Sequence, residues 1–180
     1  MLNLNRRNFL FGSAAVAALA GHAKVDLGLR ELKPGEKRTV GLIGWGIQMR
    51  GTLCDQFLAQ KDKVRIVAVC DVNQLRREAG AKKVNDAYAK AGLPATCKAV
   101  ADFRDVVYAP DIDMVCIATP DHWHAYMAVE AMKHGKDVYC EKPLTFSPEE
   151  AKKVIEAQKK YGRHLDGPSH MFQPQAPSCS

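Results

Sequence analysis

The sequence predicts an α/β protein built on a doubly wound parallel sheet. Apolar runs of strand character alternate with helical patterns, and several of these runs are apolar at consecutive positions. Such continuous runs are typical of parallel strands that are buried on both faces. Four runs end at a glycine, an acid or a threonine. Because ligands lie across the carboxyl ends of parallel strands, these terminal residues would collect at one binding edge.

The predicted elements follow one another without long gaps. Strands are expected up to residue 43 and at 64–70, 96–98, 113–118 and 137–140, with a sixth beginning at 163–165. Helices are expected up to about residue 60 and over 73–91, 102–108, 119–134 and 147–161. The last helix has a strong start, with Ser147 at the N-cap, Pro148 at the first position and Glu150 at the third.

A glycine turn follows the first predicted strand. Gly44 permits a tight turn, and Gly46 lets backbone N–H groups and a helix N-terminus approach a pyrophosphate. Met49 stands where a dinucleotide fingerprint has its third glycine, and the next glycine is Gly51. A strand-to-helix turn with no ligand therefore stays open on this motif alone.

Twenty residues after Gly51, the second predicted strand ends on Asp71. An acid at this place accepts hydrogen bonds from the adenosine ribose hydroxyls of a dinucleotide. The alternative is that Asp71 is a helix N-cap. Arg76 and Arg77 are expected to lie more than a helical turn from it, so the sequence favours NAD over NADP.

Composition limits the other classes of function. The 180 residues are enough for one sizeable core, and the net charge of +6 is modest. Basic residues are scattered or paired with acids, as in Glu149 to Lys153, so no nucleic-acid partner is expected.

The six cysteines show no C-x-x-C spacing and no pairing with histidine, so no metal site is expected. Cys70, Cys116 and Cys140 lie in or at the ends of apolar strands, where thiols are usually small buried hydrophobes. A His122/His124 metal pair has no evident third ligand.

Residues 1–23 are predicted to be an export signal, followed by a polar lead-in at 24–37. Arg6, Arg7, Phe9 and Leu10 resemble the twin-arginine pattern, and the apolar segment after them is too short to span a membrane. A general secretory signal or a membrane-tethered N-terminus remains open. Twin-arginine export carries folded, cofactor-loaded proteins, so a periplasmic or otherwise exported location is expected.

From about Arg38 to Arg163 the sequence resembles the Gfo/Idh/MocA family of NAD(P)-dependent oxidoreductases. The resemblance rests on the glycine turn, Asp71, the Thr119-Pro120 turn with His124, and Glu141-Lys142-Pro143. It implies a Rossmann domain at 38–165 that binds NAD. Within the family, the turns resemble an exported branch that includes NAD-dependent glycosidases of family 109 and related sugar dehydrogenases.

The resemblance also implies site residues. Lys142 is the expected catalytic residue, in contact with a sugar hydroxyl and the nicotinamide ribose. The expected cofactor-binding residues are Gly44, Gly46, Ile47, Gln48, Met49, Arg50, Asp71, Thr119, Pro120, Asp121, Trp123, His124, Glu141 and Lys142.

Family members continue into a second, α+β domain that closes over a sugar or glycoside substrate. Here residues 166–180 are irregular and rich in proline, which gives the hypothesis of a truncated or frame-shifted chain that lacks the second domain. Self-association through the exposed docking face is then expected. A non-catalytic NAD-binding module and an inactive product are the alternatives.

Overall fold

A computed structural model describes residues 35–168. The predicted signal at 1–23, the lead-in up to residue 34 and the tail from residue 169 lie outside the described residues. Within 35–168, no helix combines the length and apolar character needed to cross a membrane.

Six parallel strands form one sheet in the order β3-β2-β1-β4-β5-β6. The strands are β1 (Arg38–Ile43), β2 (Val64–Cys70), β3 (Lys98–Val100), β4 (Met114–Ile117), β5 (Asp137–Cys140) and β6 (Leu165–Asp166). The strand order reverses at β1, which pairs with β2 on one side and with β4 on the other. The prediction of a doubly wound parallel sheet is therefore confirmed.

Among residues 35–168, five helices cover the two faces of the sheet. They are α1 (Cys54–Ala59, preceded by a π-helical turn at Met49–Leu53), α2 (Gln74–Lys90), α3 (Phe103–Val107), α4 (His124–Lys133, preceded by a 3-10 turn at Asp121–Trp123) and α5 (Pro148–Tyr161). Buried side chains of α1 and α2 share one core cluster with the sheet, and those of α3, α4 and α5 share the other. Each face of the sheet is thus buried against its own helix layer.

The termini of α5 follow the sequence prediction. The Ser147 side chain accepts a hydrogen bond from the Glu150 backbone N–H at 3.1 Å, and the Glu150 carboxylate accepts one from the Phe146 N–H at 2.8 Å. Gly162 ends the helix in the left-handed region with φ of 60°. Local capping therefore determines where α5, the helix that connects β5 to β6, begins and ends.

The third strand was predicted two residues too early, at 96–98. The Asn85 side chain from α2 accepts from the Cys97 N–H at 2.9 Å and donates to the Cys97 carbonyl at 3.0 Å. These contacts occupy both backbone groups of Cys97, so pairing with β2 begins at Lys98. The sequence prediction failed because a side chain distant in sequence competes with the ladder.

The five described cysteines are free and buried, as expected for Cys70, Cys116 and Cys140. Burial raises the pKa of the Cys54 thiol to about 11 and of the Cys70, Cys97 and Cys140 thiols to about 12. The carboxylates of Asp71 and Glu141 raise the pKa of Cys70 and Cys140 further. These thiols stay neutral over the physiological pH range.

We expect the free energy of unfolding to fall as pH rises above about 9. The folded-state pKa of each buried thiol lies above the unfolded value of 9.0, so the unfolded chain loses its thiol protons first. Each thiol contributes a slope of up to about 1.4 kcal/mol per pH unit. Burial lowers the pKa of Lys136 below its ordinary value of 10.5. The unfolded chain therefore keeps this proton to a higher pH than the folded chain, so Lys136 makes the free energy of unfolding rise with pH up to about that value.

Urea unfolding under reducing conditions, from about pH 8 to about pH 10, measures this slope. Cys116→Ala serves as the test variant, because the pKa of the Cys116 thiol is raised well above 9.0 by burial. The variant should show a shallower decline with pH, whatever its absolute stability. An equal slope in the two proteins would show that the thiols do not cause the decline.

Candidate functional site at the carboxyl edge of the sheet

The glycine turn after β1 lies at the point where the strand order reverses. Gly44 has φ of 89°, and a Cβ there would lie 2.6 Å from the Ala118 carbonyl oxygen and 2.9 Å from the Thr119 nitrogen. Its own N–H donates to the Cys70 carbonyl at 2.8 Å. The turn is therefore wedged between the ends of β2 and β4, and only glycine fits there without strain.

Gly46 is a glycine for a different reason. The nearest atom to a Cβ built on it is the Ala118 oxygen at 3.8 Å, so the surrounding protein leaves room for a side chain. Helical backbone begins directly after it at Ile47. The missing side chain leaves a gap in front of a helix start, which fits the close approach of a phosphate group to backbone N–H donors.

The residues that follow Gly46 divide between solvent and core. Ile47, Gln48 and Arg50 are exposed, whereas the Met49 side chain is fully buried in the core. Met49 occupies the place of the third fingerprint glycine and begins the π-helical turn that leads into α1. The Met49 backbone therefore lies at the candidate site, whereas its side chain lies in the core. The side chains of Ile47, Gln48 and Arg50 are exposed.

Asp71 closes the glycine turn from the end of β2. Its buried carboxylate accepts from the Trp45 N–H at 2.8 Å and from the Asn73 N–H at 2.8 Å. The N-cap of α2 is Asn73, whose side chain accepts from the Arg76 N–H at 3.2 Å. The alternative of Asp71 as the N-cap is therefore wrong, and its carboxylate joins β2 to the glycine turn.

The expectation that Arg77 lies far from the strand end is also wrong. Its Nη1 lies 3.2 Å from the Val72 carbonyl oxygen and 3.5 Å from the Asp71 carbonyl oxygen. The long side chain folds back from the first turn of α2 toward the loop that precedes the helix. A positive charge therefore lies close to the backbone of Asp71.

The turn after β4 presents mainly exposed groups. Pro120 and Asp121 are exposed, Thr119 is half-buried, and Trp123 is 43% exposed. The Trp123 ring packs edge-on to Tyr126 with 6.0 Å between ring centroids. This turn is brought beside the glycine turn by the contact of Gly44 with Thr119 described above.

His124 differs from its neighbours, because it is only 1% exposed. Its Nδ1 lies 2.8 Å from the Pro143 carbonyl oxygen and its Nε2 lies 2.9 Å from the Thr119 carbonyl oxygen. Both ring nitrogens are engaged by the backbone, so the structure does not place this ring on a surface that a cofactor could contact. The same contacts leave no ring nitrogen for a metal ion shared with His122.

Glu141 and Lys142 follow β5 at the same edge. The Glu141 carboxylate is buried, with Oε1 3.5 Å from Gln48 Nε2 and Oε2 3.4 Å from the Lys142 N–H. Lys142 is exposed, and the peptide bond between it and Pro143 is cis. A carboxylate just after β5 therefore reaches the helix start after β1, with a lysine directly beside it.

Sequence reasoning missed two residues that shape this site. Trp45 is buried at 5% exposure and donates its N–H to Asp71. Its ring lies against Gly80 of α2, where a Cβ would approach Trp45 Cδ2 to 2.7 Å. A large aromatic residue between two turn glycines was the available signal, although nothing local indicated its partner in α2.

Other features of the described residues offer no competing site. Across 35–168 no group of three His, Cys, Asp or Glu side chains is placed to hold a metal ion. A shallow groove between the C-terminal ends of α1 and α2 is lined by Leu58, Tyr88 and Ala91 together with the side chains of Lys61 and Lys90. It lies at the opposite edge of the sheet and contains no candidate residue.

A doubly wound sheet with a glycine turn, a helix start and a strand-end acid at the switch point defines a dinucleotide-binding protein. The gap at Gly46 and the acid at Asp71 fit the pyrophosphate and ribose of NAD. Residues 38–166 match the sequence model of the "Oxidoreductase family, NAD-binding Rossmann fold". The chain belongs to this family, and the predicted Rossmann fold and NAD cofactor are confirmed.

Named proteins of similar sequence are consistent with this family assignment. A glycosyl hydrolase family 109 protein of Shewanella baltica is 31% identical over 89% of this chain and 38% of its own length. Inositol 2-dehydrogenase of Rubrobacter xylanophilus is 33% identical over 72% of this chain and 34% of its own length. The chain thus spans well under half the length of these curated relatives.

A solved structure shows the same fold. The WlbA dehydrogenase from Bordetella pertussis, in complex with NADH and UDP-GlcNAcA, superposes with a TM-score of 0.61 at 23% identity. The superposition covers 74% of this chain and 37% of that protein.

A twin-arginine translocation signal sequence also matches residues 3–21, which confirms the predicted export signal.

The two turn glycines should respond differently to substitution by alanine. Gly44→Ala should lower the free energy of unfolding by about 1–3 kcal/mol, because alanine is strained at a φ of 89° and its Cβ would clash with the Ala118 carbonyl. Gly46→Ala should change stability by less than about 0.5 kcal/mol. It should weaken NAD binding about tenfold or more, since the new methyl group fills the gap in front of the helix start.

Urea unfolding and calorimetric titration of NAD measure the two effects separately. The interpretation of the turn would be wrong if Gly46→Ala bound NAD as well as the unmodified chain. It would also be wrong if Gly44→Ala caused no loss of stability.

Proposed function

We propose that the chain is the NAD-binding part of an exported oxidoreductase that acts on sugars or glycosides by hydride transfer. The convergence of Gly46, Asp71 and the Glu141-Lys142 pair at one edge of the sheet is the observation that carries this proposal. The relatives support the substrate class, because a glycosyl hydrolase family 109 protein and an inositol dehydrogenase are among them.

The positions of these residues suggest how each part of NAD is held. The gap at Gly46 and the N–H groups of the following helix start take the pyrophosphate. Asp71 takes the adenosine ribose, because each of its oxygens can accept further hydrogen bonds beyond those from Trp45 and Asn73. Pro120, Asp121 and Trp123 present exposed surface on the path toward Glu141.

Lys142 is proposed as the catalytic residue. When bound, NAD would accept the hydride from the sugar carbon. The Lys142 amine would accept the hydroxyl proton as the hydride leaves, and the resulting ammonium would donate a hydrogen bond to the new carbonyl oxygen. The exposed position of Lys142 leaves its side chain accessible to a substrate. The buried Glu141 carboxylate lies beside the Lys142 backbone, with its Oε2 3.4 Å from the Lys142 nitrogen.

Two reactions are compatible with this arrangement. A dehydrogenase oxidises the sugar and leaves NADH as product. A family 109 type glycosidase oxidises a sugar carbon transiently, eliminates the glycosidic substituent, adds water to the resulting double bond and returns the hydride to the ketone, so no NADH remains. Measuring NADH accumulation and release of the glycosidic leaving group on the same substrate distinguishes the two reactions.

We expect NAD to bind the chain more tightly than NADP, by about tenfold. The Asp71 carboxylate repels a 2′-phosphate, and the Arg77 charge near its backbone only partly offsets this repulsion. Asp71→Asn should weaken NAD binding by about tenfold or more and reduce the difference between NAD and NADP, because it removes the charge and one acceptor.

Isothermal titration of NAD and NADP into the purified chain tests these expectations. Asp86→Asn is the matched control, since Asp86 lies on the exposed face of α2 and pairs with Lys82 at 2.6 Å. Equal binding of NAD by Asp71→Asn and by the control would contradict the assignment of Asp71. A folded chain that binds neither nucleotide would contradict the proposal as a whole.

The same edge is also the proposed surface for self-association. An exposed apolar side chain follows each of four strands: Ile47 is 78% exposed, Val72 90%, Trp123 43% and Phe146 63%. All four follow strand ends at the edge where the cofactor is proposed to bind, and we propose that together they form one apolar surface. Apolar surfaces of this kind promote association between proteins.

We expect the chain to form dimers or larger species at high concentration and Phe146→Ser to shift the equilibrium toward the monomer. Ile155→Ser is the control, because Ile155 is 50% exposed on α5 away from this edge. Sedimentation velocity over a concentration series measures the association. A purely monomeric chain, or an equal shift caused by the control, would argue against this surface.

A further inference from the structure

His124 connects two segments that carry candidate site residues. It is the first residue of α4, it is 1% exposed, and its ring spans the space between two backbone carbonyl groups. Nδ1 lies 2.8 Å from the Pro143 oxygen and Nε2 lies 2.9 Å from the Thr119 oxygen. We call the first segment, 119–123, the β4 turn and the second, 141–146, the β5 loop.

The connection lies beyond the end of the strand ladder. Pairing of β4 with β5 ends at Ile117 and Cys140, after which the Glu141 N–H donates to the Ile117 carbonyl at 2.9 Å. From there the β4 turn and the β5 loop diverge into separate helices. The imidazole contacts both segments two or three residues past this point.

We infer that His124 is a positioning residue that fixes Lys142 relative to the cofactor-binding turn. Pro143 follows Lys142 directly, so holding the Pro143 carbonyl restricts the backbone that carries the lysine. Thr119 lies against Gly44, so the other contact fixes the ring to the glycine turn. This role rests on the proposed function, in which NAD binds at the turn and Lys142 acts on the substrate.

The chemistry of the ring defines which variants test this role. A neutral imidazole donates through one nitrogen and an imidazolium donates through both. Asparagine places its amide nitrogen near the position of Nδ1, whereas glutamine places it near that of Nε2. His124→Asn therefore keeps a donor toward Pro143, His124→Gln keeps one toward Thr119, and His124→Leu keeps neither.

Hydrogen exchange of the full chain, followed by mass spectrometry, measures the effect on each segment. His124→Leu should raise exchange about tenfold or more in both the β4 turn and the β5 loop, with β1 and β2 unchanged. His124→Asn should restore protection of the β5 loop, and His124→Gln should restore that of the β4 turn. His134→Asn, at the other end of α4, is the control and should change neither segment.

Addition of NAD provides the second measurement. In the unmodified chain, NAD should protect both segments, whereas in His124→Leu it should protect the β4 turn alone. Exchange that rises uniformly over the whole sheet, or that is unchanged in His124→Leu, would overturn the inference. So would Asn and Gln variants that behave alike.

Failure of the inference and failure of the proposed function give different results. If the unmodified chain does not bind NAD, the proposed function fails while exchange in the free protein still tests the connection. If NAD binds normally and both segments exchange as before in every variant, NAD binding stands and the role of His124 fails. If His124→Leu does not fold, the Asn and Gln variants still test the inference, because each should lose protection in only one of the two segments.

Discussion

The carboxylate of Asp71 is the constraint on which the rest of the site depends. By accepting the Trp45 N–H, it fixes the backbone immediately after Gly44, and by accepting the Asn73 N–H it fixes the approach to α2. The turn is simultaneously pressed against the Ala118 carbonyl from the side of β4. Charge-assisted hydrogen bonds to a buried carboxylate are stronger than neutral ones, which suits a group that must hold a tight turn in place.

These contacts connect the segments that follow β1, β2, β4 and β5 at one edge of the sheet. The Glu141 carboxylate reaches Gln48 from the β5 side, so the glycine turn and the helix start after it together contact groups at the ends of β2, β4 and β5. Because the groups come from strands that the sheet keeps in register, their spacing depends on the rigid core rather than on the loops themselves. Preorganised sites of this kind lose little free energy to reordering when a ligand binds.

Local sequence signals predicted the parts of the structure that local chemistry determines. The strand ends at Ile43 and Cys70, the cap at Ser147 and the stop at Gly162 all follow from neighbouring residues. The start of β3 was misplaced because Asn85, twelve residues away, occupies the backbone of Cys97. Arg77 and His124 were misjudged for a related reason, since their partners are backbone carbonyls that a pattern of residue types does not reveal. The sequence therefore brought the candidate residues to one edge of the sheet, but it did not divide them into exposed residues and residues that are buried as part of the frame.

The burial of the thiols has a consequence for the route by which the chain leaves the cytoplasm. Cys54, Cys70, Cys97, Cys116 and Cys140 lie inside the fold as neutral thiols, whereas thiolate is the form that attacks disulfides and reacts with oxidants. A chain that crosses the membrane already folded brings these sulfurs into an oxidising compartment without exposing them. A chain that crossed unfolded would present all of them to disulfide-forming enzymes before its sheet had formed. The choice of export pathway thus protects the redox state of the core.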